Sequence, residues 1–165
     1  MIPVNPMEMH LRGNWRSAMV IGYGNPLRAD DGLGWRVATE LEARRLPSGV
    51  EVRKVIQLTP ELAAVIAKCE LVLFVDAARD GAAGKLTMRR VAAAAEGPSF
   101  THECSPGTLL RAASLLYGAT PDAWLLTIAG ESFGWGEGLS ATVQASLPAL
   151  LAQVDHLLAR DRDGA

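Results

Sequence analysis

The sequence predicts a three-layer α/β/α sandwich around a twisted, mostly parallel sheet of about five strands. Short apolar runs alternate along the chain with segments whose apolar residues recur at helical spacing. Strands separated by helices form parallel sheets that are covered on both faces. A chain of 165 residues, with 49% apolar and 21% charged residues, suffices for one domain with a sizeable core. We assign residues 1–16 to a flexible leader and residues 17–165 to this single domain.

The first strand–helix unit contains the most informative segment. Residues 18–22 form an apolar run typical of a buried strand, and helical spacing predicts a helix over residues 32–45. Between them lies a glycine-rich turn that carries the adjacent carboxylates of Asp30 and Asp31. Open α/β sheets place their ligand sites at such turns, beyond the carboxyl ends of the strands.

Four further strands are predicted, at residues 50–56, 71–75, 84–91 and 124–128. The run at 71–75 is apolar throughout, as expected of a central parallel strand, and it ends at Asp76. Residues 84–91 alternate weakly and carry charges, which predicts an exposed edge strand. Residues 92–104 are expected to form a loop, and residues 129–139 a long, mobile, glycine-rich loop with two exposed aromatic side chains.

Capping residues mark the starts of the later helices. Thr59-Pro60 and Ser105-Pro106 each combine an N-cap with proline at the first helical position. Gly118 fits the position just after the helix that Ser105 begins. Ser140 caps a last helix that extends to about residue 160. Pro148 inside that helix predicts a kink or a break.

Composition argues against several classes of function. The net charge of −2 provides no electrostatic footprint for nucleic acid, and no apolar run reaches the ~18 residues that a membrane span needs. Residues 1–16 lack the apolar core of a secretory signal. Cys69 and Cys104 do not make a disulfide framework. We therefore expect a cytoplasmic protein with free thiols, without membrane insertion or a nucleic-acid partner.

The glycine-rich turn does not match a nucleotide-binding loop. Leu27 stands where G-x-G-x-x-G requires its third glycine, and the chain has no G-x-x-x-x-G-K-[ST] segment. Asp30 and Asp31 at the start of a helix would also repel a phosphate. Carboxylates at this position suit a metal ion, a proton-transfer role or simple helix capping.

Asp31, Asp76 and His102 are the candidate chemical residues. If the sheet order begins 2-1-3, the turn of Asp31 lies beside Asp76, and His102 precedes the helix that starts at Ser105. Taken singly, each has a plain structural explanation: a helix cap, a strand-end cap and a surface histidine. Together they suit nickel, zinc, manganese or iron. Alternatively, the two carboxylates share a proton and activate water.

The remaining polar candidates have weaker signals. Asp30 either orders the turn or contacts a ligand. Gln57 lies on the loop after the second strand, at the same edge of the sheet, and Glu61 lies in the first turn of the next helix, where the helix dipole favours a carboxylate. Cys69 and Cys104 are expected to be small, partly buried residues rather than nucleophiles.

The chain resembles the nickel–iron hydrogenase maturation proteases from about residue 17 to residue 158. The resemblance rests on four segments in order: Val20 to Gly34 around G-Y-G-N-P-L and D-D-G-L-G, Phe74-Val75-Asp76-Ala77-Ala78, Thr101-His102-Glu103-Cys104-Ser105-Pro106, and Gly136-Glu137-Gly138-Leu139-Ser140. It implies a flavodoxin-like sandwich and an endopeptidase that removes a C-terminal extension from the hydrogenase large-subunit precursor after nickel insertion. The metal-contacting positions of the family correspond to Asp31, Asp76 and His102.

Two departures from the family pattern accompany the resemblance. Gln57 stands where some members carry an acidic residue, and Asp31 stands where some carry glutamate, which shortens the reach by one methylene. These differences indicate either a subfamily with another precursor or a paralogue whose substrate is not a hydrogenase.

The resemblance implies an aspartic or metal-dependent peptidase without an organic cofactor, in which nickel borne by the substrate is held by Asp31, Asp76 and His102. Asp31 and Asp76 are the predicted catalytic residues, with water activated by the metal or by a carboxylate. On this interpretation the glycines of the turn leave room for the substrate. Further substrate contacts are predicted at Gly24, Asn25, Asp30, Gln57 and Glu61.

Two other functions are alternatives to the peptidase. One is a non-catalytic chaperone or scaffold that binds the nickel-loaded precursor, and the other is a phosphate- or nucleotide-binding domain of the same fold.

Overall fold

A computed structural model describes residues 15–95 and 104–160 of the chain. Residues 1–14 of the predicted leader lie outside the described residues. The last two leader residues belong to the folded domain: the Trp15 indole N–H donates to the Leu157 carbonyl at 3.2 Å, and the Arg16 N–H donates to the Glu70 carboxylate at 3.0 Å. The boundary expected at residue 17 therefore falls too late.

The described chain forms five strands, four α-helices and a short 3₁₀ helix at Ala29–Gly32. In chain order the elements are β1 (Ala18–Tyr23), α1 (Leu33–Glu42), β2 (Val50–Val55), α2 (Leu62–Ile66), β3 (Leu71–Ala78), β4 (Leu86–Arg90), α3 (Pro106–Tyr117), β5 (Asp122–Ala129) and α4 (Ala141–Ala159).

The sheet has the order β2-β1-β3-β5-β4, so the start 2-1-3 on which the proximity of Asp31 and Asp76 was conditional is present. The pairs β2–β1, β1–β3 and β3–β5 are parallel, whereas β4 is antiparallel to β5 at the exposed edge. The chain reverses its order between β1 and β3, which makes this the switch point where a ligand site is expected.

Helices cover both faces of the sheet, as predicted. The side chains of β3 alternate between two cores: Leu71, Leu73 and Val75 face α1 and α4, while Val72 and Phe74 face α2 and α3. This alternation explains why β3 is apolar throughout, because both of its faces are buried. The three-layer sandwich of the sequence prediction is confirmed.

Several boundaries differ from the sequence predictions. α2 starts at Leu62, because Thr59 and Pro60 form a hydrogen-bonded turn that precedes it rather than its cap and first residue. β3 continues through Ala78, so Asp76 lies within the strand and not at its end. The two residues after Asp76 are kept in the strand by pairing with β5.

The predicted caps of α3 and α4 are confirmed. Ser105 accepts the Thr108 N–H in a capping box, and Gly118 ends α3 in the left-handed conformation with φ 64°. Ser140 caps α4 through the Val143 N–H at 3.3 Å. Pro148 does not break α4, which runs unbroken from Ala141 to Ala159. The proline lies on the exposed side of the helix, where water can solvate the carbonyl that its missing N–H leaves unbonded.

No helix in the described ranges is long and apolar enough to cross a membrane.

Candidate functional site

The turn after β1 is closed by hydrogen bonds from Asn25 and Asp31. The Asp31 carboxylate accepts the Asn25 N–H at 2.8 Å, and the Asn25 side-chain oxygen accepts the Leu27 N–H at 2.9 Å. No side-chain hydrogen bond caps α1 at its N-cap residue, Gly32. Asp31 itself lies in the first turn of the 3₁₀ helix, where the helix dipole favours a carboxylate, but its side chain accepts from Asn25 rather than from a helix N–H. Its carboxylate reaches back across the turn, toward the end of β1.

Glycines in this turn allow the backbone of α1 to approach the sheet. A Cβ at Gly34 would collide with the backbone of Tyr23 and Val75, and one at Gly22 would collide with the Gly34 carbonyl. Gly24 is buried with φ 131°, and a Cβ there would collide with the Asp31 carbonyl. These glycines serve internal packing, which corrects the expectation that they leave room for a substrate. The burial of Gly24 also argues against its predicted role as a substrate contact.

Asp30 is fully buried, and its carboxylate is satisfied by three backbone donors. One oxygen accepts the N–H groups of Glu131 at 2.8 Å and Ser132 at 2.9 Å, and the other accepts the Ser140 N–H at 2.7 Å. Burial would raise the pKa of Asp30, but these hydrogen bonds outweigh it and hold the pKa below its ordinary value. Asp30 therefore orders the turn and the loop at residues 130–140, and its burial corrects the prediction that it contacts a substrate.

Asp76 has a different environment from Asp30. It is level with Thr127 of β5 and one residue beyond the last β1–β3 pair, Gly22 with Val75. Its carboxylate accepts the N–H of the next residue, Ala77, at 2.8 Å. Burial, followed by the negative charge of Asp31, raises the pKa of Asp76 to about 7. This carboxyl group is thus poised to change its protonation state near neutral pH.

Two residues that the sequence analysis did not single out complete the site. The Tyr23 hydroxyl forms a hydrogen bond with Asp76, and burial together with the Asp76 charge raises the pKa of Tyr23. Arg79 lies 4.0 Å from the Asp31 carboxylate and stacks over the Phe133 ring, 4.4 Å from its centroid. Its charge opposes the increase in the pKa of Asp76. Their positions at or just after the ends of β1 and β3 are the sequence signal that could have identified them.

Asp31 and Asp76 are therefore brought together at the switch point, as the sheet order predicted. Both carboxylates are half-buried, and Asp31 keeps 21% of its side chain exposed. Such a pair can share a proton, or it can offer oxygen ligands to a divalent cation. In the described ranges no group of three His, Cys, Asp or Glu side chains is arranged to hold a metal ion. The third predicted ligand, His102, lies outside those ranges.

The other sequence candidates lie at the periphery. Gln57 and Glu61 are exposed after the carboxyl end of β2, where they stay predicted substrate contacts. Asn25 is half-buried in the turn and stays one as well. Cys69 and Cys104 are free and half-buried, as expected. The Cys69 thiol donates to the Val65 carbonyl at 3.7 Å.

The fold and the site together define a class: a doubly wound α/β protein with an acidic pair at its topological switch point. The chain is similar to the structure of the hydrogenase maturating endopeptidase HybD from E. coli, with 30% identity, a TM-score of 0.69, and coverage of 84% of this chain and 89% of that one. The chain belongs to the family of nickel–iron hydrogenase maturation proteases.

Two further solved structures are similar to the chain. The solution structure of an endopeptidase from Escherichia coli is 28% identical, with a TM-score of 0.67 and coverage of 84% of this chain and 89% of that one. The maturation protease HycI from Thermococcus kodakarensis shares the fold at 21% identity, with a TM-score of 0.68 over 93% of this chain and 99% of that one. No protein-family model matches the chain, and the comparison with curated proteins gives no match.

Proposed function

We propose that this protein is an endopeptidase that removes the C-terminal extension of a nickel-loaded hydrogenase large-subunit precursor. The observation that carries the proposal is the acidic pair of Asp31 and Asp76, placed at the switch point of a fold shared with hydrogenase maturation endopeptidases. The precursor is the protein partner, and its nickel belongs to the substrate rather than to a resident cofactor site.

The two carboxylates and His102 would hold the substrate's nickel and so position the peptide bond that is cut. A bond held close to its attacking group needs less activation, because the entropy of bringing the two together is lost on binding. The ion also compensates the repulsion between Asp31 and Asp76, which, after burial, raises the pKa of Asp76 in the metal-free protein. A precursor without nickel lacks this compensation, so the site distinguishes loaded from empty substrate.

Hydrolysis requires a proton acceptor for the attacking water and a proton donor for the leaving amine. We assign both steps to Asp76, because its carboxylate accepts a backbone N–H only from Ala77 and so keeps lone pairs available for the proton. Asp31, with its carboxylate fixed by the Asn25 N–H, is better placed to hold the cation. The Tyr23 hydroxyl orients the Asp76 carboxylate from the neighbouring strand.

The proposal is tested by incubating purified protein with a nickel-loaded precursor and following the intact mass of the precursor. We expect the wild-type protein to shorten it once, near the C-terminus, and to leave the nickel-free precursor intact. Asp31→Asn should stop cleavage. Asp155→Asn, an exposed acid of α4 that pairs with Arg44, serves as the matched control and should cleave normally.

Two results would contradict the proposal. If the wild-type protein binds the loaded precursor without shortening it, the chain acts as a scaffold or chaperone. If Asp31→Asn cleaves at the wild-type rate, the acidic pair does not carry the reaction.

A further inference from the structure

An exposed tryptophan next to the site lies in a loop that is firmly held. Trp135 exposes 79% of its surface, and the loop that carries it was expected, over residues 129–139, to be mobile. Instead, the Asp30 carboxylate binds backbone N–H groups at both ends of this loop, at Glu131, Ser132 and Ser140. A fixed loop that presents a large apolar ring to solvent is typical of a binding surface.

The turn after β1 holds the middle of the same loop. Ala29 N–H donates to the Gly136 carbonyl at 2.8 Å, and Gly136 N–H donates to the Leu27 carbonyl at 2.9 Å. The Arg28 side chain donates to the Phe133 carbonyl at 3.3 Å and places its guanidinium over the Trp135 ring, 5.2 Å from the centroid. Leu27, beside this stack in sequence, is 49% exposed. We call Leu27, Arg28 and Trp135 the Trp135 rim.

The Trp135 rim is continuous with the acidic pair. Arg28 and Asp31 belong to one short turn, joined by the hydrogen bond from the Asp31 N–H to the Arg28 carbonyl at 3.1 Å. Arg79 connects the two regions from the other side, since it faces Asp31 and stacks on Phe133. An extended peptide advances about 3.3 Å per residue, so a chain bound at Asp31 reaches the rim within a few residues.

We propose that the Trp135 rim is a docking surface for the C-terminal segment of the precursor, and that it receives an apolar side chain a few residues from the cleaved bond. Asp30 acts as a positioning residue, because it holds the loop in place without touching the substrate. This inference rests on the proposed function for the identity of the partner. Aromatic and arginine side chains together are the commonest anchors of such contacts.

The test compares cleavage kinetics of Trp135→Ala with those of the wild-type protein, using the nickel-loaded precursor. Loss of the ring should raise KM by about tenfold and leave kcat within about twofold, since the ring binds substrate but takes no part in the reaction. Trp135→Phe should recover part of the affinity. Asp30→Asn should raise KM in the same direction, because it loosens the loop.

Leu116→Ala is the matched control. Leu116 is 70% exposed and lies near the end of α3. This helix leads into the start of β5, at the amino end of the parallel strands, whereas the site lies at their carboxyl end. The KM of Leu116→Ala should equal that of the wild-type protein. An unchanged KM for Trp135→Ala overturns the inference, and so does a change in oligomeric state on this substitution, which would identify the rim as a contact between copies of the chain.

The two proposals fail in different ways. If the wild-type protein does not cleave the loaded precursor, the proposed function fails, and titration of the precursor onto wild-type and Trp135→Ala proteins still decides whether the rim binds it. If the wild-type protein cleaves and the variant has the same KM, only the docking surface is wrong.

Discussion

The neighbouring carboxylates of Asp30 and Asp31 connect the same turn to two different regions. The first region, the loop side, is the loop at residues 130–140. There Asp30 is fully buried and accepts three backbone N–H groups, so its pKa is lowered. The second region, the strand side, is the carboxyl end of β1 and β3, where Asp31 faces Asp76. The Asp76 carboxylate accepts a backbone N–H only from Ala77, and its pKa is raised to about 7. Burial acts against ionisation in both regions, and the number of hydrogen-bond donors decides the outcome.

This difference separates a structural carboxylate from a chemical one. A buried carboxylate with all its lone pairs engaged stays ionised and is inert, whereas a buried carboxylate with few donors and a negative neighbour exchanges a proton or binds a cation readily. The loop side therefore provides rigidity, and the strand side provides reactivity.

The largest expected effect is the loss of precursor cleavage when the carboxylate of Asp76 is removed. Asp76→Asn should lower the cleavage rate at least about a hundredfold, the usual contribution of a general acid–base group. Asp122→Asn, which removes a carboxylate that pairs with Arg90 at the start of β5, should retain activity. Mass spectrometry of the precursor gives the rates. If Asp76→Asn cleaves at the wild-type rate, Asp76 is not the group that transfers the proton.

A second prediction concerns the pH dependence of stability in the metal-free protein. The pKa of Asp76 is higher in the folded state than its ordinary value of 3.8, so the folded state binds more protons between pH 4 and 7. The free energy of unfolding should therefore fall as pH rises through this window, by on the order of 4 kcal/mol for a shift of about three pKa units.

Urea unfolding at pH 4.5, 6 and 8 measures this slope. Asp76→Asn should remove most of it and be the more stable protein at pH 8. Asp30 contributes with the opposite sign: its pKa is lowered, so its stabilisation is lost only as pH falls below about 4. An unchanged slope in Asp76→Asn would show that Asp76 is ionised at neutral pH in the folded protein.

The third prediction tests the loop side. Asp30→Asn should destabilise the fold by about 3 kcal/mol at pH 7, because the neutral amide cannot accept from all three N–H groups and leaves at least one buried donor unpaired. Chemical denaturation measures the loss. Asp80→Asn, at an exposed position, is the control and should change stability little. A loss below about 0.5 kcal/mol, the range of surface substitutions, would show that Asp30 does not hold the loop in place.

The contrast between the two sides also explains what the sequence could predict. The apolar run from Leu71 to Val75 was sufficient to predict a central strand, because the burial of both of its faces is a local property of that run. The proximity of Asp31 and Asp76 followed only on the condition of a sheet order 2-1-3, which came from fold geometry and which the structure meets, since the carboxyl ends of neighbouring parallel strands lie at the same end of the sheet.

The role of Asp30 could not be predicted in this way. Its hydrogen-bond donors at Glu131, Ser132 and Ser140 lie 101 to 110 positions along the chain, and they are backbone groups without a residue signature. The stacking of Arg79 on Phe133 and the fixed position of the loop are likewise tertiary properties. Periodicity reports which face of an element is buried, but not which loop returns to a given turn.

The smallest expected effect concerns strain at the junction of the two sides. Ala29 adopts φ 51°, a left-handed conformation that a non-glycine residue occupies at a cost of about 1 kcal/mol. The hydrogen bond from its N–H to the Gly136 carbonyl helps to hold it there. Ala29→Gly should thus stabilise the protein by about 0.5 kcal/mol, the strain relief being partly offset by the greater freedom of glycine in the unfolded chain.

Thermal unfolding of Ala29→Gly, compared with Ala145→Gly, provides the measurement. Ala145 is exposed within α4, where glycine should destabilise by about 1 kcal/mol. The two substitutions are chemically identical, so a difference in sign isolates the backbone conformation. Equal destabilisation of both variants would mean that Ala29 is not strained, and that the loop and the turn meet without stored conformational energy.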